Sequence, residues 1–409
     1  MKCRHCASPL TLRLVDLGSA PPSNAYLTRE QLQAPEKTYP LKVMVCEDCW
    51  LAQTQDFAEA DELFASDYAY FTSYSDGALL HAERYVIDMI QRFQLGPDSH
   101  VVEVGSNDGY LLQYVHSRGL KCTGIEPTAS TAAAARAKGI ETIEAFFGAA
   151  LGSRLAAEGL QADLVAANNV LAHVPDINGF VQGFEPLLKP HGVATFEFPH
   201  LSRLIAGNQF DTIYHEHFSY LSLTTTQRIC SANGLAVFDV EELPTHGGSL
   251  RVYAQKSTTG TRQVTANVRT ILARESEEGV QSAGYYAGFQ AKAERVKDDF
   301  LHFLIESRRQ GKRVGAYGAA AKGNTLMNFA GCRGDLVAYV VDRNPVKRGN
   351  FMPGSRIPIV GEEILRDDKP DYVLILPWNL KAEVMQQLDF ARAWGAKFVT
   401  AIPGLEIAS

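Results

Sequence analysis

Short apolar runs alternate with longer amphipathic segments over most of the chain. Between about residues 68 and 255, the runs 101–105, 122–127, 141–146, 163–170 and 193–199 are brief, apolar and bounded by turn residues. Runs of this kind read as strands buried on both faces of a parallel sheet. Helical patterns fall between them, such as the alanine-rich segment 131–139, and 235–243 with 249–255 reads as a terminal strand pair. Residues from about 261 to 304 are polar and helix-prone, which predicts a connecting helix or helical hairpin. A second alternating unit follows, with strands predicted at 313–319, 336–342, 371–377 and 397–404. The first sixty or so residues break the pattern. They are turn-rich (Pro21-Pro22-Ser23-Asn24) and hold little apolar material, so a core of their own needs a staple.

Composition narrows the class. A chain of 409 residues exceeds one core and predicts two or three domains. A net charge of −7 disfavours a nucleic-acid binder, which needs a basic face. The N-terminus lacks the apolar stretch of a secretion signal, and no run of about 18 apolar residues occurs, so no membrane association is expected. Seven cysteines are too few for a disulfide scaffold, and an odd count suits a reducing compartment, the cytoplasm.

Four of those cysteines form two C-x-x-C pairs: Cys3 with Cys6, and Cys46 with Cys49. Four thiolates at such knuckles suit tetrahedral zinc. A closed set of four ligands leaves no open position, so the expected role is structural. His5 lies inside the first pair and reads as a neighbour.

The run 101–109 is a strand followed by a tight turn: Glu103, Gly105, Asn107, Asp108 and Gly109 fall in the pattern E-x-G-x-x-x-G. The missing third glycine disfavours a pyrophosphate there. Glu126 ends the next predicted strand, where a carboxylate can take both hydroxyls of a ribose. Together these features fit S-adenosylmethionine on a class I methyltransferase sheet, against an NAD-type site or a vestigial fold as the alternatives. Asn168 ends the fourth strand at the edge where open α/β sheets bind ligands, and His173 lies just beyond it. In the second unit, Tyr317 precedes a loop of small residues, and Lys322 and Asn324 open a helix, an arrangement suited to anions. Arg343 follows the next strand. One nucleotide-like site per unit is therefore expected. Crowding by Ala319-Ala320-Ala321 argues against an NAD-dependent oxidoreductase there.

Tyr214-His215-Glu216-His217 places four proton-exchanging side chains in a row. A metal site, an acid–base site and a solvated loop are the three readings. The spacing is not H-E-x-x-H, and metal chemistry is already placed at the cysteines, which leaves a metal-free acid–base cluster. His246 and Ser249 flank a glycine turn, where a hairpin and a substrate contact are both open.

Taken together, the cysteine knuckles, EVGSNDGYLL, VLAHVPD, YHEHFSYLS, HGGSLR and GAYGAAAKGNT resemble the sugar-nucleotide C-methyltransferases that act at carbon 3 of a 4-keto-6-deoxy sugar. The resemblance covers essentially the whole chain. It implies an α/β protein with a small zinc-binding domain (residues 1–66), a central S-adenosylmethionine domain of class I, Rossmann-like fold (67–257) and a C-terminal Rossmann-like domain for the nucleotide sugar (258–409). It implies His217 as the base at carbon 3, Tyr214 and Glu216 as its supports, and Tyr68 and His173 as completing the site. It further implies Glu126 on the cofactor ribose, and a nucleoside-diphosphate-linked sugar held through the Lys322 loop, in a pathway to an unusual deoxysugar. A monomer or weak homo-oligomer is expected. A methyltransferase acting on a hydroxyl or amine, and a non-catalytic zinc and nucleotide module, remain the alternatives. His215 has no assigned role.

Overall fold

In a computed structural model, residues 1–55, 57 and 71–408 are described. Tyr68 lies outside them. The first three strands, β1 (Leu12–Ala20), β2 (Tyr39–Val45) and β3 (Ala52–Thr54), form an antiparallel sheet. This sheet lacks a core of its own. Leu14, Val15, Leu17 and Val43 pack in one cluster with Phe289, Phe300 and Leu304 of helix Phe289–Arg309, and with Val314, Leu326 and Met352 near the C-terminal sheet. The small N-terminal unit is thus stapled by its cysteines and by a shared apolar core, which the sequence pattern did not reveal.

The central sheet contains β4 (His100–Val104), β5 (Lys121–Ile125), β6 (Glu141–Ile143), β7 (Ala162–Asn168) and β8 (Leu188–Pro199). A two-residue strand β9 (Ser219–Tyr220) leaves this unit and pairs with β3 through Ala52↔Tyr220 and Gln53↔Ser219. Strands β10 (Leu235–Leu243) and β11 (Ser249–Lys256) complete the seven-stranded order β10-β11-β8-β7-β4-β5-β6. The strands from β8 to β6 are parallel, and β11 runs antiparallel to both its neighbours. This is the class I methyltransferase arrangement. The chain order reverses between β4 and β7, so the ligand crevice lies outside their carboxyl ends.

Helices Ala266–Glu278 and Phe289–Arg309 occupy the predicted polar stretch. The C-terminal sheet holds β12 (Val314–Tyr317), β13 (Val340–Val341), β14 (Ile359–Val360), β15 (Tyr372–Ile375), β16 (Lys397–Thr400) and β17 (Glu406–Ala408), in the order β14-β13-β12-β15-β16-β17. It is doubly wound, with its switch point between β12 and β15. Two strands here escaped the sequence pattern. β14 has only two residues beside Pro358, and β17 is a half-exposed antiparallel edge. The run predicted at 336–342 contributes only Val340 and Val341.

Candidate active site

The loop after β4 returns to the sheet through left-handed backbone at Gly105 (φ +69°), Asn107 (φ +49°) and Gly109 (φ +75°). A Cβ on Gly105 would lie 2.5 Å from Val170 Cγ2, and one on Gly109 2.5 Å from Ile140 Cδ1. Both positions require glycine for space as well as for φ. Glu126, just past β5, accepts from the Asn107 and Thr128 amides at 2.9 Å each. Asp108 Oδ1, Asn168 Oδ1 and Asn169 Oδ1 are buried acceptors without a hydrogen-bond partner among the described residues. Neither carboxylate oxygen of Glu103 is in good hydrogen-bond geometry either, although the Tyr110 hydroxyl lies close. Burial, with the charges of Glu126 and Asp108, pushes the Glu103 carboxyl well above the usual carboxylate range. Buried acceptors gathered at a switch point await a ligand that brings donors.

The tyrosine–histidine run lies beside this crevice. His217 is buried, and its Nδ1 is 2.8 Å from the Thr212 main-chain oxygen. A carbonyl can only accept, so Nδ1 carries the proton and Nε2 presents a lone pair. The Tyr214 ring lies over His217 at 3.8 Å between centroids, and His173 meets it edge-on at 4.6 Å. His173 is tied to the Glu216 main chain. Burial, then the neighbouring His173, holds His217 well below its ordinary pKa, and burial brings His173 to about 4. Both rings are therefore neutral at pH 7.

Glu216 points away from His217. Its Oε1 accepts from the Asn24 amide at 3.3 Å and from Asn24 Nδ2 at 3.1 Å. The expected carboxylate partner of the base is thus a main-chain carbonyl, while Glu216 fastens the site to the Pro21–Asn24 turn of the N-terminal unit. His215 Nε2 lies 3.2 Å from the Tyr39 oxygen of β2, a structural tie to the same unit.

The C-terminal unit closes the site from the opposite side. Thr325 Oγ1 donates to the Ile213 oxygen at 2.8 Å, and Trp378 Nε1 donates to Asp211 Oδ2 at 2.8 Å. Lys322 Nζ donates to Asn379 Oδ1 at 2.9 Å and sits 4.9 Å from the centre of the Trp378 ring. Its charge acts on Asp211, His217 and His246. The loop 207–217 thus touches both units: His217 meets His173 beyond β7, while Ile213 and Asp211 bond Thr325 and Trp378 of the C-terminal unit. His246 takes left-handed backbone (φ +54°) at the surface, and the surrounding protein atoms, then Lys322, lower its pKa.

Other candidates face elsewhere. Tyr317 is packed in the C-terminal core with its hydroxyl on Gln387 Oε1 at 2.9 Å. Asn324 is buried, and its Oδ1 accepts from Asn328. Ser249 Oγ donates to the Thr245 oxygen at 2.9 Å, closing the hairpin. Arg343 is exposed just past β13.

The structure adds Asn24, Asp211, Trp378 and a trio in which Glu197 and His81 join Arg251, the arginine beyond the His246–Ser249 turn. Glu197, fully buried in β8, lies 2.8 Å from His81 Nε2 and 3.0 Å from Arg251. Burial pushes its carboxyl up, but His81 and Arg251 outweigh that and keep it ionised. Its one signal was a carboxylate inside an apolar strand run.

At the cysteines, Cys3 Sγ is 3.5 Å from Cys49 Sγ, Cys6 Sγ is 3.5 Å from Cys46 Sγ, and all four sulfurs lie within 4.8 Å of one another. Tetrahedral zinc with Zn–S bonds of about 2.3 Å separates sulfurs by about 3.8 Å, so the set fits. The two knuckles share one turn. The main-chain oxygens of Cys3 and Cys46 accept from the Ala7 and Trp50 amides at 2.9 and 2.8 Å, and Ala7 and Trp50 have φ of +63° and +64°.

Three family models match successive parts of the chain. Residues 3–64 match a zinc-binding-domain model, 79–240 a methyltransferase-domain model and 244–403 a model described as the C-methyltransferase C-terminal domain. The C-methyltransferase NovU of Streptomyces niveus is 34% identical over 402 residues, spanning 98% of this chain and 95% of the relative. Magnesium protoporphyrin IX methyltransferase of Synechocystis PCC 6803, solved with S-adenosylmethionine, is 16% identical, covering 50% of this chain and 100% of its own, with a TM-score of 0.37. The PH0226 protein of Pyrococcus horikoshii OT3 is 14% identical, covering 49% and 100%, with a TM-score of 0.39. S-Adenosylmethionine carries an ammonium group and ribose hydroxyls, the donors that Glu103, Glu126, Asp108 and Asn168 can take. No helix among the described residues is long and apolar enough to cross a membrane.

Proposed function

The chain belongs to the S-adenosylmethionine-dependent C-methyltransferase family, and from that premise we propose that it methylates carbon 3 of a nucleotide-linked 4-keto-6-deoxy sugar. The carrying observation is the bond from His217 Nδ1 to the Thr212 oxygen, which leaves Nε2 free to act as a base. A 4-keto group makes the hydrogen on carbon 3 acidic, because the electron pair left behind spreads onto oxygen as an enolate. His217 Nε2 takes that proton and later returns it to solvent.

When bound, S-adenosylmethionine supplies an electrophilic methyl group on a sulfonium. Glu103, Asp108, Glu126 and Asn168 hold it, with Gly105, Asn107 and Gly109 shaping the loop that lets it approach. Tyr214 fixes the plane of the base, and His173 presents a neutral ring beside it. Glu216 anchors the run against the N-terminal unit. The C-terminal unit, residues 258–409, takes the nucleoside diphosphate at its carboxyl edge, where Arg343 offers a cation. Residues 1–66 and 67–257 serve as the zinc unit and the cofactor unit. Zinc bound by Cys3, Cys6, Cys46 and Cys49 holds the knuckles together.

The test is incubation with methyl-labelled S-adenosylmethionine and nucleotide-linked 4-keto-6-deoxy sugars, with the label located by NMR. A new carbon–carbon bond at carbon 3 supports the reading. A label on a sugar oxygen or nitrogen contradicts it.

A further inference from the structure

Lys322 is half-buried at the amino end of helix Ala321–Ala330. Its ammonium is clamped by Asn379 Oδ1 and the face of Trp378, and Trp378 is in turn fixed by its bond to Asp211. The turn carrying His246 packs on the same indole. A Cβ added to Gly247 would lie 2.4 Å from the Trp378 ring and 2.7 Å from Gln209 Nε2. Lys322 therefore projects toward the loop that bears His217, not outward along the C-terminal sheet edge. The titratable groups that face it are Asp211, His217 and His246.

Two features make this a poor phosphate site. Asp211 interacts electrostatically with the ammonium and offsets part of its charge toward a dianion. The ammonium also faces the loop of the base: the indole it lies over is bonded to Asp211, in the same loop as His217, and its charge adds to the lowering of the His217 pKa behind burial and His173. An enolate oxygen gains negative charge as His217 gains positive charge, and a fixed cation in a low-dielectric cleft stabilises that charge where it develops.

We propose that Lys322 is the counter-charge for the enolate oxygen, and that Asp211 with Trp378 and Asn379 is the frame that positions it. This rests on the enolate reading of the function. As the proton passes from carbon 3 to His217 Nε2, the carbon–hydrogen electron pair moves into the new carbon–carbon double bond, and the carbonyl pair moves onto oxygen beside the ammonium. When carbon 3 takes the methyl group, the double-bond pair becomes the new carbon–carbon bond and the oxygen pair re-forms the ketone, while the sulfur–methyl bond breaks with its pair left on sulfur and S-adenosylhomocysteine leaves.

Lys322→Met and Lys322→Gln, the latter able to keep a bond to Asn379, test this in the full zinc-loaded chain. Three quantities are compared with the parent: affinity for uridine and thymidine diphosphate alone, solvent deuterium exchange at carbon 3 at saturating sugar nucleotide, and the pH profile of that exchange. Expected are nucleoside diphosphate affinities within about threefold of the parent, which also report folding, and exchange slower by roughly 10²–10³-fold. The acid limb of the profile should move up toward the ordinary histidine value. Affinity for the diphosphates falling tenfold or more with exchange unchanged would make Lys322 a phosphate ligand and overturn the proposal. Exchange unchanged in both variants overturns it while leaving the enolate reading intact. No exchange in the parent removes both.

Discussion

His217 Nδ1 lies 2.8 Å from the main-chain oxygen of Thr212, five residues earlier in the same loop. That bond sets the tautomer without a carboxylate. Burial, then His173, keeps the imidazole's pKa low and the ring neutral, and the Thr212 oxygen, which carries no full negative charge, offsets only part of that. The base is thus ready at neutral pH, at the expense of basicity.

Replacing His217 by Gln removes the lone pair while keeping polarity and approximate size. Methyl transfer and carbon-3 exchange should both fall by about 10²–10⁴-fold, the usual contribution of a general base. Binding of S-adenosylhomocysteine, measured by calorimetry, should stay within about threefold.

The pH profile follows from the direction of the His217 shift. The competent form is the neutral ring, which is present above its pKa and lost as pH falls through it. Since burial lowers that pKa, the exchange rate should hold from pH 8 to below about 6.5, the reference value for histidine. An acid limb at or above that value would mean that His217 is not the titrating base.

Much of this was legible in the sequence, and the remainder has a common physical cause. The glycine loop, Glu126 and the cysteine knuckles announce themselves because their chemistry is local: a left-handed turn, a strand end, a two-residue spacing. Asn24, Asp211 and Trp378 do not, because each acts through a partner more than 160 positions away: Asn24 with Glu216, and Trp378 with Asp211. Adjacency in sequence suggests Glu216 as the support of His217, whereas its side chain bonds Asn24 of the N-terminal unit. Tyr317 sat beside a ligand loop in sequence, yet strand alternation turned it into the core.

Loss of zinc should reach the active site through Asn24. Cys46→Ser, or a strong chelator, should loosen the N-terminal unit, release Glu216 and slow carbon-3 exchange by tenfold or more. Asn24→Ala should reproduce a milder version, because it leaves part of the buried Glu216 carboxylate without donors, at a cost of about 1–3 kcal/mol. In both cases affinity for S-adenosylhomocysteine should change by less than about threefold, since the cofactor crevice lies in the central unit.

At the cofactor crevice, Glu103→Gln should weaken S-adenosylhomocysteine binding about 10- to 100-fold, as expected for a hydrogen bond to a charged group. Glu126→Ala should weaken it similarly and also lower thermal stability, because the Asn107 and Thr128 amides lose their acceptor. Calorimetric binding and thermal melts separate the two effects.

The most direct measurement is deuterium wash-in at carbon 3 of a nucleotide-linked 4-keto-6-deoxy sugar, in D₂O, without cofactor turnover. The expected result is one deuterium entering at carbon 3 with the parent protein and none above background with His217→Gln. A protein that transfers methyl groups yet shows no exchange, or exchange that survives loss of His217, would contradict the account.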